Sequence, residues 1–127
     1  MISDLLNDLI KKEGMTIPQD FRNFMEENHK RLFDWAFIEI PIGDRTITFN
    51  NFLGNTGELN TDLYKWYKFF SDGGEYLTFG NGVYGENFAI KVKGEKIGQI
   101  VVFFEEEDEQ RKYVIATCFS EFLKMLQ

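Results

Sequence analysis

The chain is poor in the residues that most chemistry needs. It has one histidine, His29, and one cysteine, Cys118. A single thiol forms no intrachain disulfide and no cysteine-based zinc site, and a single imidazole forms no two-histidine metal site. Basic residues are outnumbered: 14 Lys and Arg against 21 Asp and Glu give a formal charge of −7. That balance repels phosphate backbones and leaves no basic stripe for nucleic acid. Long apolar runs are missing, and Met1-Ile2-Ser3-Asp4 lacks the basic and apolar regions of a signal peptide. The expectation is a reduced, cytoplasmic protein with no membrane, nucleic-acid, metal or cofactor partner. Without repeats, low-complexity tracts or linkers, residues 1–127 are expected to form one domain.

What the chain does have is aromatic mass. Hydrophobic residues make up 43% and aromatics 17%, with 14 Phe, which is too apolar for a disordered chain. A thick aromatic core is expected. Ile2, Leu5, Leu6, Leu9 and Ile10 fall on one face of a first helix, with Ser3 as N-cap and Gly14 as stop. Pro18 suits the first position of a second helix carrying Phe21, Phe24 and Met25. Residues 33–40 are β-rich and Pro41-Ile42-Gly43-Asp44 punctuates them. A strand-like run then continues to Leu53, with Thr46 and Thr48 opposite Ile47 and Phe49. Thr61 can cap a third helix with Leu63, Trp66, Tyr67 and Phe70 on one side. The second half reads as a meander of strands, 75–79, 86–93, 97–104 and 112–117. Ile100 to Phe104 is apolar on both faces, which marks an interior strand. Phe119, Phe122, Leu123 and Leu126 close the chain as a helix with Thr117 or Cys118 at its cap. Helices, then strands, then a helix predict an α+β fold with a largely antiparallel sheet covered on one face by helices.

Within the meander, Gly80-Asn81-Gly82-Val83-Tyr84-Gly85 spells G-x-G-x-x-G. A dinucleotide site needs a helix after those glycines, so that its N-terminus meets the pyrophosphate. Phe88-Ala89-Ile90-Lys91-Val92 instead alternates with the period of a strand. The segment is therefore read as a turn between two strands.

The remaining candidates for chemistry are few. His29, near the end of the second helix, is placed to favour the helix dipole when protonated. Cys118 precedes a helix, where a thiol can be activated, but a small buried packing residue is the simpler reading. Tyr64, Trp66, Tyr67 and Phe70 have the spacing of a core face rather than of a stacking platform, and Trp35 reads as core too. Glu105, Glu106, Glu107, Asp108 and Glu109 are the local extreme of charge. They lack the spacing of a calcium loop, and adjacent carboxylates do not face each other across a substrate. Two readings of the run stay open: a solvated hairpin loop, or a docking surface for a basic partner.

Three segments together resemble the SUKH superfamily, which includes a yeast cell-wall synthesis regulator and many bacterial proteins. They are Ile17-Pro18-Gln19-Asp20-Phe21-Arg22-Asn23-Phe24, then Phe79-Gly80-Asn81-Gly82 through Gly85-Glu86-Asn87-Phe88, then Ala116-Thr117-Cys118-Phe119-Ser120-Glu121-Phe122-Leu123. The family usually has Gly-Asp where this chain has Gly85-Glu86. The resemblance implies a curved, mostly antiparallel central sheet flanked by helices, with no catalytic constellation. It also implies an immunity protein that neutralises a polymorphic toxin by direct binding; in the alternative, it is a regulatory or scaffolding domain with a cellular partner. Many nuclease toxins carry a basic cleft, which makes Glu105 to Glu109 the candidate partner-binding residues. An enzyme built on carboxylates is the third class, and it requires two of them facing each other across a cleft.

Overall fold

A computed structural model describes residues 1–32, 38–71, 73–104 and 111–126. Helix α1 (Ile2–Glu13) buries Ile2, Leu5, Leu6 and Leu9. Gly14 ends it in the left-handed conformation, φ 72°, so that the Gly14 and Met15 N–H groups return to Ile10 O and Leu9 O. The N-cap is Met1 rather than the expected Ser3. Ser3 lies inside the first turn, where its hydroxyl donates to Glu26 Oε2 at 2.6 Å on the next helix. That helix, α2 (Gln19–Asn28), starts one residue after Pro18, which takes the cap position with an extended ψ of 141°.

Strands β1 (Ile38–Ile42) and β2 (Arg45–Phe49) pair as an antiparallel hairpin about Gly43-Asp44. Pro41 therefore lies inside a strand instead of breaking it. Among the described residues this sheet has two strands, and an edge strand tolerates the missing N–H. Trp35 and the rest of residues 33–37 lie outside the described residues. The main sheet holds β3 (Asn51–Phe52), β4 (Tyr76–Asn81), β5 (Glu86–Lys91), β6 (Ile100–Phe104) and β7 (Tyr113–Ala116) in that order, every neighbouring pair antiparallel. Among the described residues the strands thus form two sheets instead of one. β6 is interior, as its two apolar faces predict. Register shifts after Thr78 and after Ile100 mark bulges, which bend a sheet.

Helix α3 (Leu63–Ser71) is capped by Asp62, not Thr61. Asp62 Oδ2 accepts the Lys65 N–H at 3.0 Å, and Oδ1 accepts the Thr56 and Gly57 N–H groups at 2.9 Å each. A carboxylate has acceptor sites enough to close both the loop and the helix, which a hydroxyl lacks. Leu63, Trp66 and Tyr67 are buried as expected, but Phe70 is 54% exposed and Phe69 is 69% exposed. Helix α4 (Phe119–Met125) follows Cys118 at its N-cap. Cys118 is half-buried rather than buried. Glu121 reaches back to accept from the Thr117 N–H and hydroxyl.

The three segments singled out in the sequence meet in space. Phe21 of α2 stands 5.0 Å from Phe119 and 5.8 Å from Phe79, ring centre to ring centre. Phe79 of β4 stands 5.4 Å from Phe119 and 5.3 Å from Phe122. Asp20 Oδ2 accepts from the Ser120 N–H at 2.9 Å and the Ser120 hydroxyl at 3.0 Å, joining α2 to α4 across the chain. Edge-to-face pairs of this kind contribute about 0.5–1.5 kcal/mol each beyond burial. α1 packs on α2 and α2 on α4, and the helices cover one face of an antiparallel α+β structure.

Candidate functional site

The glycine-rich turn is a clamp. Gly80 and Asn81 still belong to β4, so the turn proper is Gly82 to Gly85. Gly82 N–H bonds to Glu86 O at 2.9 Å and Gly85 adopts φ 85°. Glu86, only 2% exposed, turns its carboxylate toward β2. Its Oε2 accepts from the Thr48 N–H and hydroxyl, each at 2.6 Å, and its Oε1 accepts from the Tyr84 N–H at 2.7 Å. Thr48 Oγ1 in turn accepts the Val83 N–H at 3.1 Å. Burying a carboxylate is tolerable only with such partners. Thr48 is thereby buried, although the alternation of its strand places it opposite Ile47 and Phe49. The clamp fixes the backbone of Val83 and Tyr84, whose side chains project outward; Tyr84 is 73% exposed.

The glycines are needed for close approach. A Cβ on Gly82 would stand 2.1 Å from Thr48 O and 2.5 Å from Glu86 Oε1. A Cβ on Gly80 would stand 2.7 Å from the Phe49 ring. The turn is followed by β5 rather than a helix, so the phosphate geometry is missing here.

Beyond the turn lies the sheet face opposite the aromatic core. Leu77, Phe79, Phe88, Ile90, Ile100 and Val102 face the core. Alternate residues point the other way. Thr78, Ala89, Val101 and Val114 pair in register and cross this face as one row, of which Thr78, Ala89 and Val101 are buried and Val114 is exposed. Above the row, Tyr76, Phe103 and Lys112 line a recess of about 250 Å³ together with Ser71, Gly74 and Glu75. The Lys112 ammonium lies 5.2 Å from the Tyr76 ring centre and 5.5 Å from that of Phe103. Lys91 Nζ lies 5.0 Å from the Tyr76 ring and 2.8 Å from Glu75 Oε1. The hydrogen bond to Glu75 holds the Lys91 ammonium above its usual pKa. Aromatic rings, ammonium groups and a half-exposed carboxylate make a surface suited to protein contact.

The single-copy residues do not join this face. His29 is exposed at the end of α2, with Nδ1 2.9 Å from Glu26 O, in the capping role its position predicts. Among the described residues no group of three or more His, Cys, Asp or Glu is placed to hold a metal ion. No helix among them is long and apolar enough to cross a membrane. Glu105, Glu106, Glu107, Asp108 and Glu109 lie outside the described residues, directly after β6. Sequence reasoning missed the Glu86–Thr48 clamp and the Tyr76–Phe103–Lys112 cluster. For the cluster a signal was present: Tyr76, Thr78, Lys91, Ala89 and Phe103 each alternate with a core residue. For the clamp there was none, because Thr48 and Glu86 are far apart in the chain.

These features define a small α+β protein with helices packed on one face of an antiparallel sheet. The chain matches the family model described as SMI1 / KNR4 family (SUKH-1) over residues 3–125, and it belongs to that family. The family comprises toxin-immunity and regulator-like proteins, generally without catalysis. No curated protein and no solved structure matches the chain.

Proposed function

We propose that this protein is an immunity protein that neutralises a cognate toxin, such as a nuclease, by direct binding in the cytoplasm. Membership of the SUKH-1 family over nearly the whole chain carries the reading. On this reading residues 1–127 act as one non-enzymatic binding domain, with no cofactor, that works by covering the toxin's active surface. The Tyr76–Phe103–Lys112 recess and the clamped Tyr84 turn support it, since preorganised aromatic groups bind with little ordering cost. Glu105, Glu106, Glu107, Asp108 and Glu109 are the proposed contact for a basic cleft. A formal charge of −7 favours encounter with such a cleft, and long-range attraction raises on-rate more than affinity.

The test is a binding assay with the toxin domain encoded by the adjacent gene, together with survival of cells that co-express the two. A complex at low salt and survival are expected. A toxin that stays active and unbound at low salt overturns the reading. Replacing Glu106 and Asp108 by Lys should slow association at low ionic strength and change it little at high ionic strength. An unchanged on-rate removes the acidic run from the interface. A regulatory or scaffolding role with a cellular partner is the second reading, favoured by the regulator-like members of the family.

A further inference from the structure

We propose that the groove between α1 and α3 is the interface of a two-fold dimer of this chain. α3 exposes Lys65, Lys68, Phe69 and Phe70, and its sequence from Leu63 to Ser71 contains no carboxylate. The two phenylalanines form a continuous patch: their ring centres are 4.9 Å apart, and Phe70 lies 4.6 Å from Trp66 beneath. Single exposed apolar residues are ordinary, but a contiguous aromatic patch marks a contact surface.

The patch borders a groove with unlike walls. One part, about 520 Å³, is lined by Leu59, Tyr64, Lys65, Lys68 and Phe69. It continues past Tyr64 and Lys65 into a second part of about 330 Å³, bounded by Asp4, Leu5 and Asp8 of α1. The α3 wall therefore presents Lys65 and Lys68, and the α1 wall presents Asp4 and Asp8, with the Met1 ammonium 3.8 Å from Asp4. The Lys65 ammonium donates to the Gly57 carbonyl and meets no carboxylate among the described residues. Lys68 pairs with Glu13 at 3.6 Å and Asp8 with Lys12 at 3.8 Å, and the Lys68 and Asp8 side chains stay about half exposed.

The occupant follows from symmetry and charge. A chain of formal charge −7 repels its own copies, so self-contact needs local matching. A two-fold axis along the groove lays the acidic wall of one copy on the basic wall of the other, and does so twice. Tyr64 and Phe69 then sit near the axis, where like groups meet. A contact of groove size belongs with the small interfaces, below about 1,200 Å² in total, so the dimer is concentration-dependent.

The experiment needs no toxin, so its outcome is independent of the immunity reading. Sedimentation of the full chain at low salt, from about 5 to 500 μM, spans the expected affinity range. Mass should rise toward twice the monomer and fall back as salt is added. Phe69→Ser with Phe70→Ser should hold the chain as a monomer. Lys65→Glu with Lys68→Glu makes both walls acidic, and Asp4→Lys with Asp8→Lys makes both basic. Each of these variants alone should be monomeric, and an equimolar mixture should dimerise. All these changes are on exposed or half-exposed side chains, and circular dichroism verifies each fold. A wild type that stays monomeric throughout, or a dimer indifferent to both charge-reversed variants, overturns the proposal. So does a monomer that instead binds phosphatidylcholine–phosphatidylglycerol vesicles through Phe69, which would assign the patch to a lipid surface.

Discussion

Gly82→Ala puts a methyl group where the structure leaves no room. The new carbon would stand 2.1 Å from Thr48 O and 2.5 Å from Glu86 Oε1. The first obstacle is backbone of β2 and cannot rotate away. The second is a carboxylate already held by the Thr48 and Tyr84 donors. The φ of Gly82 is not in the left-handed region, so the cost is steric and electrostatic rather than torsional. Overpacking costs about 1–3 kcal/mol, and losing one hydrogen bond to a charged group costs about 1.5–3 kcal/mol. Because one movement of the hairpin relieves both, about 2–4 kcal/mol is expected instead of the full sum. At about 2.1 cal/mol/K per residue, that lowers Tm by about 8–15 °C for a chain of this length. Gly85→Ala is the comparison: its φ is 85°, but no atom lies within 4 Å of the added carbon. Its cost is backbone strain alone, about 1–2 kcal/mol. Urea denaturation of both variants decides the matter. A Gly82→Ala protein within about 0.5 kcal/mol of wild type would falsify the clamp, as would Gly85→Ala being the costlier change.

Asp62→Ala leaves three backbone donors unsatisfied and should destabilise by about 2 kcal/mol in urea, whereas Thr61→Ala should change stability by less than about 1 kcal/mol. The Tyr64 phenol is pushed up to about 12, first by burial and then by its hydrogen bond to Glu13. Its neutral form stabilises the fold fully below the usual phenol value of about 10, and that stability is lost as pH rises toward the folded value. An ultraviolet titration should show a late tyrosinate step that Tyr64→Phe removes. The Ser3 hydroxyl, more than Arg22, holds the Glu26 carboxyl below its usual range. That stability is present above the usual carboxylate pKa and is lost as pH falls through the lowered value, and Ser3→Ala should raise the Glu26 pKa in a carbon-detected NMR titration.

Elements whose signal is local were legible in the sequence. The α1 face, the Gly14 stop and the interior character of Ile100 to Phe104 each follow from spacing within one segment. The reading was less accurate where side chains found distant partners. Ser3 left its cap for Glu26, and Asp62 took the α3 cap because the Thr56–Gly57 loop folds onto it. Phe70 has the right spacing for the core, yet the core ends at Trp66 and Tyr67. Of the candidate site, the turn was visible as a glycine pattern. Its buried partner was not, because Thr48 and Glu86 are brought together only when β2 crosses to β5.

The three segments that resemble the family are also the ones that meet as Phe21, Phe79, Phe119 and Phe122, so what they encode is the core. Sequence alone determined the α+β class and the family, because periodicity, composition and motif order are properties of the linear chain. Tertiary structure decided what the surface offers. Sheet pairing places Tyr76, Phe103 and Lys112 around one recess, and helix packing sets the Asp4–Asp8 wall beside Lys65 and Lys68. Those neighbours are far apart along the chain, and only the fold's long-range contacts make them adjacent.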